Sequence, residues 1–305
     1  MAAWQRVEVM QLGPAAASLT AVSGADLRDE IYSWPTTNAC RVDQETAEEA
    51  WDDADFFEVN LVNVYGFDAI ETLLFTPTSD NACPPQVPPN SDGAFDALGT
   101  AGVAENRALY ASAVGTHILS TIDTIYDAWD PDGGDFAGTM ASAGEPDNPF
   151  ASQELALNAI FDALFYLELR TKDRKLAWPL GIKDCGLEDC TGMIEAPMAG
   201  GSDKWVAENL AGFEALYSGN DGVGLGDLLV AVGQAETHLN IMDALEVAKD
   251  TADGIEMSLD VAIEDDPEGL QDLHDDVKAV TDVLKNDLAT LLMLQVPTEA
   301  AGDND

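Results

Sequence analysis

Asn63-Val-Tyr-Gly-Phe-Asp-Ala-Ile-Glu-Thr-Leu-Leu-Phe75 is the stretch whose reading decides the fold. From Val59 onward, apolar or small residues recur at 59, 62, 66, 69, 70 and 73, the three-and-four spacing of a helix. Leu61, Val64, Phe67, Leu74 and Phe75 fill most of the remaining circumference, so the spacing predicts a buried helix over 59–75. Asp68 and Glu71 interrupt that apolar ring, and three residues apart they project from one face. Two buried carboxylates require a cation, a proton or a hydrogen-bond network beside them. Gly66 gives up helix propensity and in return admits another backbone or a ligand. The residues alone leave two readings open: acids satisfied internally by arginine or water, or acids that hold a cation.

The surrounding chain narrows the class. Its 305 residues suffice for one large or two medium domains, and 46% apolar content argues for a folded chain. Against 13 basic residues stand 57 acidic ones, a net charge of −44. Nucleic acid and anionic lipid surfaces would be repelled, so no nucleic-acid partner is expected. Acids spread along the whole chain describe a solvated acidic surface, consistent with a saline habitat or with cation binding. No run approaches the ~20 apolar residues of a membrane span. No basic-then-apolar leader opens the chain either.

Helical periodicity continues on both sides of the central stretch. Residues 43–57 read as an acidic helix, and 76–102, rich in Pro, Asn, Asp and Gly, as a long loop able to act as a lid or strap. In the amphipathic helix Ala104–Trp129, Arg107 lies in the apolar stripe, a natural partner for a buried acid, and His117 lies to its side. His117 reads either as hydrogen-bonded structure or as a ligand. Trp34 precedes a proline and is pushed out of the α region, where it either lines a site or packs the connection. Asn148-Pro149 is expected to cap a helix running to about Lys172. Next comes the only strongly basic patch, Lys172-Asp-Arg-Lys175, which suits either an acidic surface or a bound anion. Further helices are expected over 202–217, over 227–263 with Asp253-Gly254 as a candidate break, and over 267–294. Cys40 with Cys83 and Cys185 with Cys190 is the economical disulfide pairing, with zinc as the competing reading. The disulfide reading implies an oxidising compartment. Strand alternation, Walker loops, dinucleotide fingerprints and His-Glu-x-x-His are all missing from the sequence.

Several of these segments resemble the imelysin-like family. Gly66-Phe67-Asp68-Ala69-Ile70-Glu71 is similar to its Gly-x-His-x-x-Glu signature, with Asp68 where the family has histidine. The segment Ala3-Trp4 through Glu8, the Trp34-Pro35 element, Lys175-Leu176 through Gly181, Glu195-Ala-Pro197 and Asn209 through Tyr217 follow in the family's order. The resemblance implies an all-α fold of two packed helical bundles, with the signature helix near their interface. It places sub-bundles at about 1–145 and 146–295, ahead of an acidic tail, 296–305. It also implies a periplasmic or outer-envelope location, with an export signal or lipid anchor missing ahead of Met1, and envelope protein partners. For function it implies a non-enzymatic envelope protein linked to iron or another divalent cation, held by Asp68 and Glu71, with Gly66, Trp34, Arg107 and His117 around them. The alternatives are a metallopeptidase, the activity for which the family is named, and an acidic helical scaffold without a metal site. Aspartate in place of histidine makes the ligands harder, which suits iron, calcium or magnesium better than zinc.

Overall fold

The computed structural model describes residues 1–13, 27–186, 190 and 192–301. Among them every regular element is a helix and no strand forms. The helices are α1 (Ala2–Glu8), α2 (Leu27–Ile31), α3 (Ala39–Glu48), α4 (Phe56–Val59), α5 (Phe67–Phe75), α6 (Ala94–Trp129), α7 (Phe136–Ala141) and α8 (Gln153–Leu164). A π-helix follows over Leu167–Ala177, then α9 (Ser202–Ser218), α10 (Leu225–Ala231), α11 (Ala235–Gly254), α12 (Leu259–Asp265), α13 (Pro267–Val283), α14 (Ala289–Leu291) and α15 (Thr298–Ala301). None of the helices is long and apolar enough to cross a membrane. Two compact units emerge: 13–136, and 1–12 together with 137–305. Residues 302–305 of the acidic tail lie outside the described residues.

In the first unit, α6 is the spine. Val103, Tyr110, Val114, Ile118 and Ile125 are buried along one face, and α3 and α5 pack against it. Gly99, at φ 61°, interrupts the first turns of α6, which start ten residues earlier than periodicity suggests. The helix expected over 59–75 is in fact three pieces. The four-residue α4 ends at Val59, a 3₁₀ turn covers Val62–Val64, and α5 starts only at Phe67. Gly66 is the cause. It sits at φ +96°, and a Cβ there would lie 3.1 Å from the Ile31 carbonyl oxygen, so it terminates one segment and brings the α2 backbone close. Leu74 and Phe75 are 54% and 49% exposed, so α5 is buried on one side and not all round.

Helix α3 likewise starts earlier than expected, because Asn38 Oδ1 caps the Arg41 N–H at 3.1 Å, and it stops at Glu49, which turns left-handed. The loop after α5 is strapped down. The Cys40–Cys83 disulfide forms, and the Asn81 and Asn90 side chains hydrogen-bond reciprocally at 2.6 and 2.9 Å.

The second unit is built on α9, α11, α13 and the π-helix, with Leu176, Leu210, Phe213, Leu245, Val277 and Val280 in its core. Helix α1, which sequence order puts with the first half, packs on α9. Gly212 permits this: a Cβ there would come within 2.2 Å of the Arg6 carbonyl oxygen. Asn148 turns back onto the Thr139 carbonyl at 2.7 Å, so it does not cap the next helix. Ser152 does, accepting from the Leu155 N–H at 3.2 Å. The expected 227–263 helix divides into α10, α11 and α12. The helix expected over 267–294 begins as α13, with Asp266 capping Gly269 and Pro267 in the first turn, and passes through a π-helical segment, Leu284–Leu288, into α14, which ends at Leu291.

Candidate functional site

Asp68 and Glu71 are the two acids the apolar ring singled out, and both are shielded, at 6% and 9% exposure. Phe67 starts α5, so Asp68 falls in the helix's first turn, where free backbone N–H groups favour negative charge, and Glu71 lies one turn on. The neighbours are polar. Ser33 Oγ lies 3.5 Å from Asp68 Oδ2, 3.4 Å from the Tyr65 carbonyl oxygen and 2.7 Å from Thr37 Oγ1. Gly66 is what lets this happen, since its bare backbone sits against Glu30 and Ile31 and thereby brings the 30–33 segment to α5.

His117 approaches from α6. Its Nε2 lies 3.6 Å from Glu30 Oε2, its ring stacks on Phe57 at 4.2 Å between centroids, and Tyr65 meets it edge-on at 5.2 Å. Burial, reinforced by the Glu30 carboxylate, pushes the Tyr65 hydroxyl well above its ordinary range, so it stays a neutral phenol. Tyr110, fully buried, donates to the Val64 carbonyl at 2.6 Å and fixes the turn ahead of Gly66. Glu30, Ser33 and Tyr65 therefore join the cluster, though periodicity gave none of them. The available signal was adjacency: Ser33 precedes Trp34, and Tyr65 precedes Gly66. Trp34 itself is half-buried at a cis peptide bond with Pro35.

Arg107 is buried as its place in the stripe predicts, but its charge goes elsewhere. It meets Asp43 Oδ1 at 3.2 Å and donates to the carbonyls of Thr78 and Asp80, each at 2.7 Å. It therefore clamps the 76–93 loop onto α3, and Asp43 also accepts from the Ala82 N–H at 2.8 Å. Burial raises the Asp43 pKa above 3.8, and the Ala82 hydrogen bond and Arg107 oppose that rise. As a counter-charge Arg107 belongs to Asp43.

Lys172 and Lys175 also depart from the sequence reading. They form no exposed patch, being fully buried within the second unit. Lys175 Nζ lies 2.9 Å from Glu195 Oε1 and 2.6 Å from Gln5 Oε1, and Asn209 Nδ2 donates to the Gln5 carbonyl at 2.8 Å. Lys172 lies 2.9 Å from Asp173 and 3.6 Å from Glu168, and Glu168 also pairs with Lys285 at 2.6 Å. Three sequence segments that looked like separate motifs, around residues 4, 195 and 209, thus converge on one polar network beside the π-helix. Both expected disulfides form, Cys40–Cys83 and Cys185–Cys190, which removes the zinc reading of the four cysteines.

For a metal, the described residues contain no group of three or more His, Cys, Asp or Glu side chains placed to hold one ion. A catalytic zinc site needs three protein ligands and an open position, and the described donors do not supply them. Asp68 and Glu71 offer carboxylate oxygens only.

A family model described as Imelysin matches residues 1–287. The chain is also similar to the crystal structure of an imelysin-like protein from Psychrobacter arcticum 273-4. The TM-score is 0.55 at 15% identity, over 97% of this chain and 79% of that one. No curated protein matches the chain.

Proposed function

Because the chain belongs to the imelysin family, we propose that it is a non-enzymatic member acting in the cell envelope, whose signature helix captures a divalent cation without catalysing hydrolysis. The observation behind this is the shielded pair Asp68 and Glu71 on one face of α5. Oxygen donors of this kind suit ferrous or calcium ion, and neither His117 nor any Cys completes a zinc peptidase set among the described residues. Asp68 and Glu71 would supply the charge, with Ser33 holding Asp68 in place. Two disulfides fit an oxidising compartment.

The test is metal analysis of protein purified without chelator, repeated on Glu71→Gln, alongside a casein-cleavage assay. One divalent ion per chain, lost in Glu71→Gln, with no cleavage, is the expected result. Metal-dependent cleavage would restore the peptidase reading. Metal-free protein, in which any melting rise on added ferrous or calcium ion is kept by Glu71→Gln, would leave an acidic helical scaffold.

A further inference from the structure

The π-helix Leu167–Ala177 has a solvent side that the buried lysine network does not use. Arg174 projects there and stacks over the Trp178 ring, 5.3 Å from its centroid. In a chain with 57 acidic residues to 13 basic ones, Arg174 forms no ion pair among the described residues. It lines a cavity of about 440 Å³, within the size range of small-ligand sites. The same cavity is walled by Asp162, Asp184 and Glu299, and none of these acids pairs with a cation among the described residues either. Among the described residues, Asp162 accepts from Asn158 at 3.1 Å and Asp184 from the Gly186 N–H at 2.7 Å, and both are exposed. Asp173, the fourth acid of the wall, is already neutralised by Lys172 and Lys183.

Opposite charges therefore face one cavity without joining each other. A pure anion would meet the carboxylates of Asp162, Asp184 and Glu299, and a pure cation would meet Arg174; Arg170 and Lys183 also line the cavity, and both are already engaged. A molecule carrying both charges satisfies both walls. π-Helical segments frequently mark functional sites, and the planar fork of a guanidinium matches a carboxylate.

We propose that this cavity binds a small zwitterion of the amino-acid type. Its carboxylate pairs with Arg174, its ammonium faces Asp162, Asp184 and Glu299, and its side chain lies against Trp178 and Tyr166. The proposal rests on the second unit alone and is independent of what the signature helix binds.

The experiment is calorimetric titration of the full chain. The twenty standard amino acids are first screened by thermal shift, each hit being compared with its analogues lacking the amine or the carboxylate. For phenylalanine these are 3-phenylpropanoate and phenethylamine. At least one amino acid should bind, with both analogues weaker by about tenfold or more, the loss of one charge-assisted hydrogen bond. Arg174 is partly exposed, so Arg174→Gln should keep the circular dichroism and melting of the free protein while losing that affinity. No binding by any of the twenty overturns the proposal. So does equal binding by the amine-free analogue, or wild-type affinity in Arg174→Gln.

Discussion

Replacing Arg107 by alanine should unfold the first unit more readily than any surface change, and the cost can be worked from its contacts. The guanidinium makes one ion pair, to Asp43, and two hydrogen bonds to the carbonyls of Thr78 and Asp80, all in buried surroundings. Removing one partner of a buried pair costs about 3–5 kcal/mol, because the remaining charge is left uncompensated. The two carbonyls add to this unless water reaches them. Asp43 retains only the Ala82 N–H, so it will seek a proton.

The sign of the pH dependence follows. Burial already raises the Asp43 pKa above its ordinary 3.8, and losing Arg107 raises it further. Between the ordinary and the raised value the folded state binds more protons than the unfolded one, so stability falls as pH rises. The Arg107→Ala penalty should therefore be largest at pH 7 and smaller at about pH 4, near the ordinary carboxylate value. Urea unfolding at the two pH values measures it, with Asp43→Leu/Arg107→Met closing the cycle. The double variant should recover most of the loss. A penalty below about 1 kcal/mol, or one independent of pH, would refute the assignment of Arg107 to Asp43.

Three further outcomes are expected. Gly66→Ala should cost about 1–3 kcal/mol in urea unfolding, because a Cβ at φ +96° is strained and lies 3.1 Å from the Ile31 carbonyl oxygen; an unchanged midpoint would contradict that geometry. Lys175→Met should destabilise by about 3–5 kcal/mol through stranded Glu195, and Lys175→Met/Glu195→Gln should recover part of it; additive losses would show the two do not interact. Cys40→Ser/Cys83→Ser should lower stability by about 2–4 kcal/mol, the cross-link spanning 43 residues, whereas Cys185→Ser/Cys190→Ser, spanning 5, should cost less; comparison of the midpoints decides.

What the sequence disclosed divides by range. Helical class, the burial of Asp68 and Glu71, the inward position of Arg107 and both disulfides were legible, because each follows from spacing within one segment or from a short count of cysteines. Partners were not. Arg107 meets Asp43 across 64 residues, and Lys175 meets Gln5 across 170, and no periodicity carries that information. Gly66 misled for a local reason: counted as a small residue it extends the helical pattern, whereas its positive φ ends it. The basic run 172–175 misled because neighbours in sequence were taken as neighbours on a surface. The π-helix turns Lys172 and Lys175 into the core and leaves Arg174 partly exposed.

The burial of cations bears on how a metal site here can be recognised at all. Of 13 basic residues, Arg28, Arg107, Lys172 and Lys175 are buried, a larger share than of the 57 acids, so the solvent-facing surface is richer in acid than the composition states. A surface of that charge destabilises the compact state by self-repulsion and condenses any divalent cation without a site. A rise in melting temperature on adding calcium or ferrous ion is therefore expected even if Asp68 and Glu71 bind nothing. The two causes separate in salt. At about 1 M potassium chloride the screening length falls to about 3 Å, which suppresses exposed interactions but leaves shielded pairs nearly intact. If α5 holds the ion, a saturable rise should persist at high salt in the wild type and vanish in Glu71→Gln. If screening alone is at work, potassium chloride should reproduce the whole rise, and Glu71→Gln should behave as the wild type at every ionic strength.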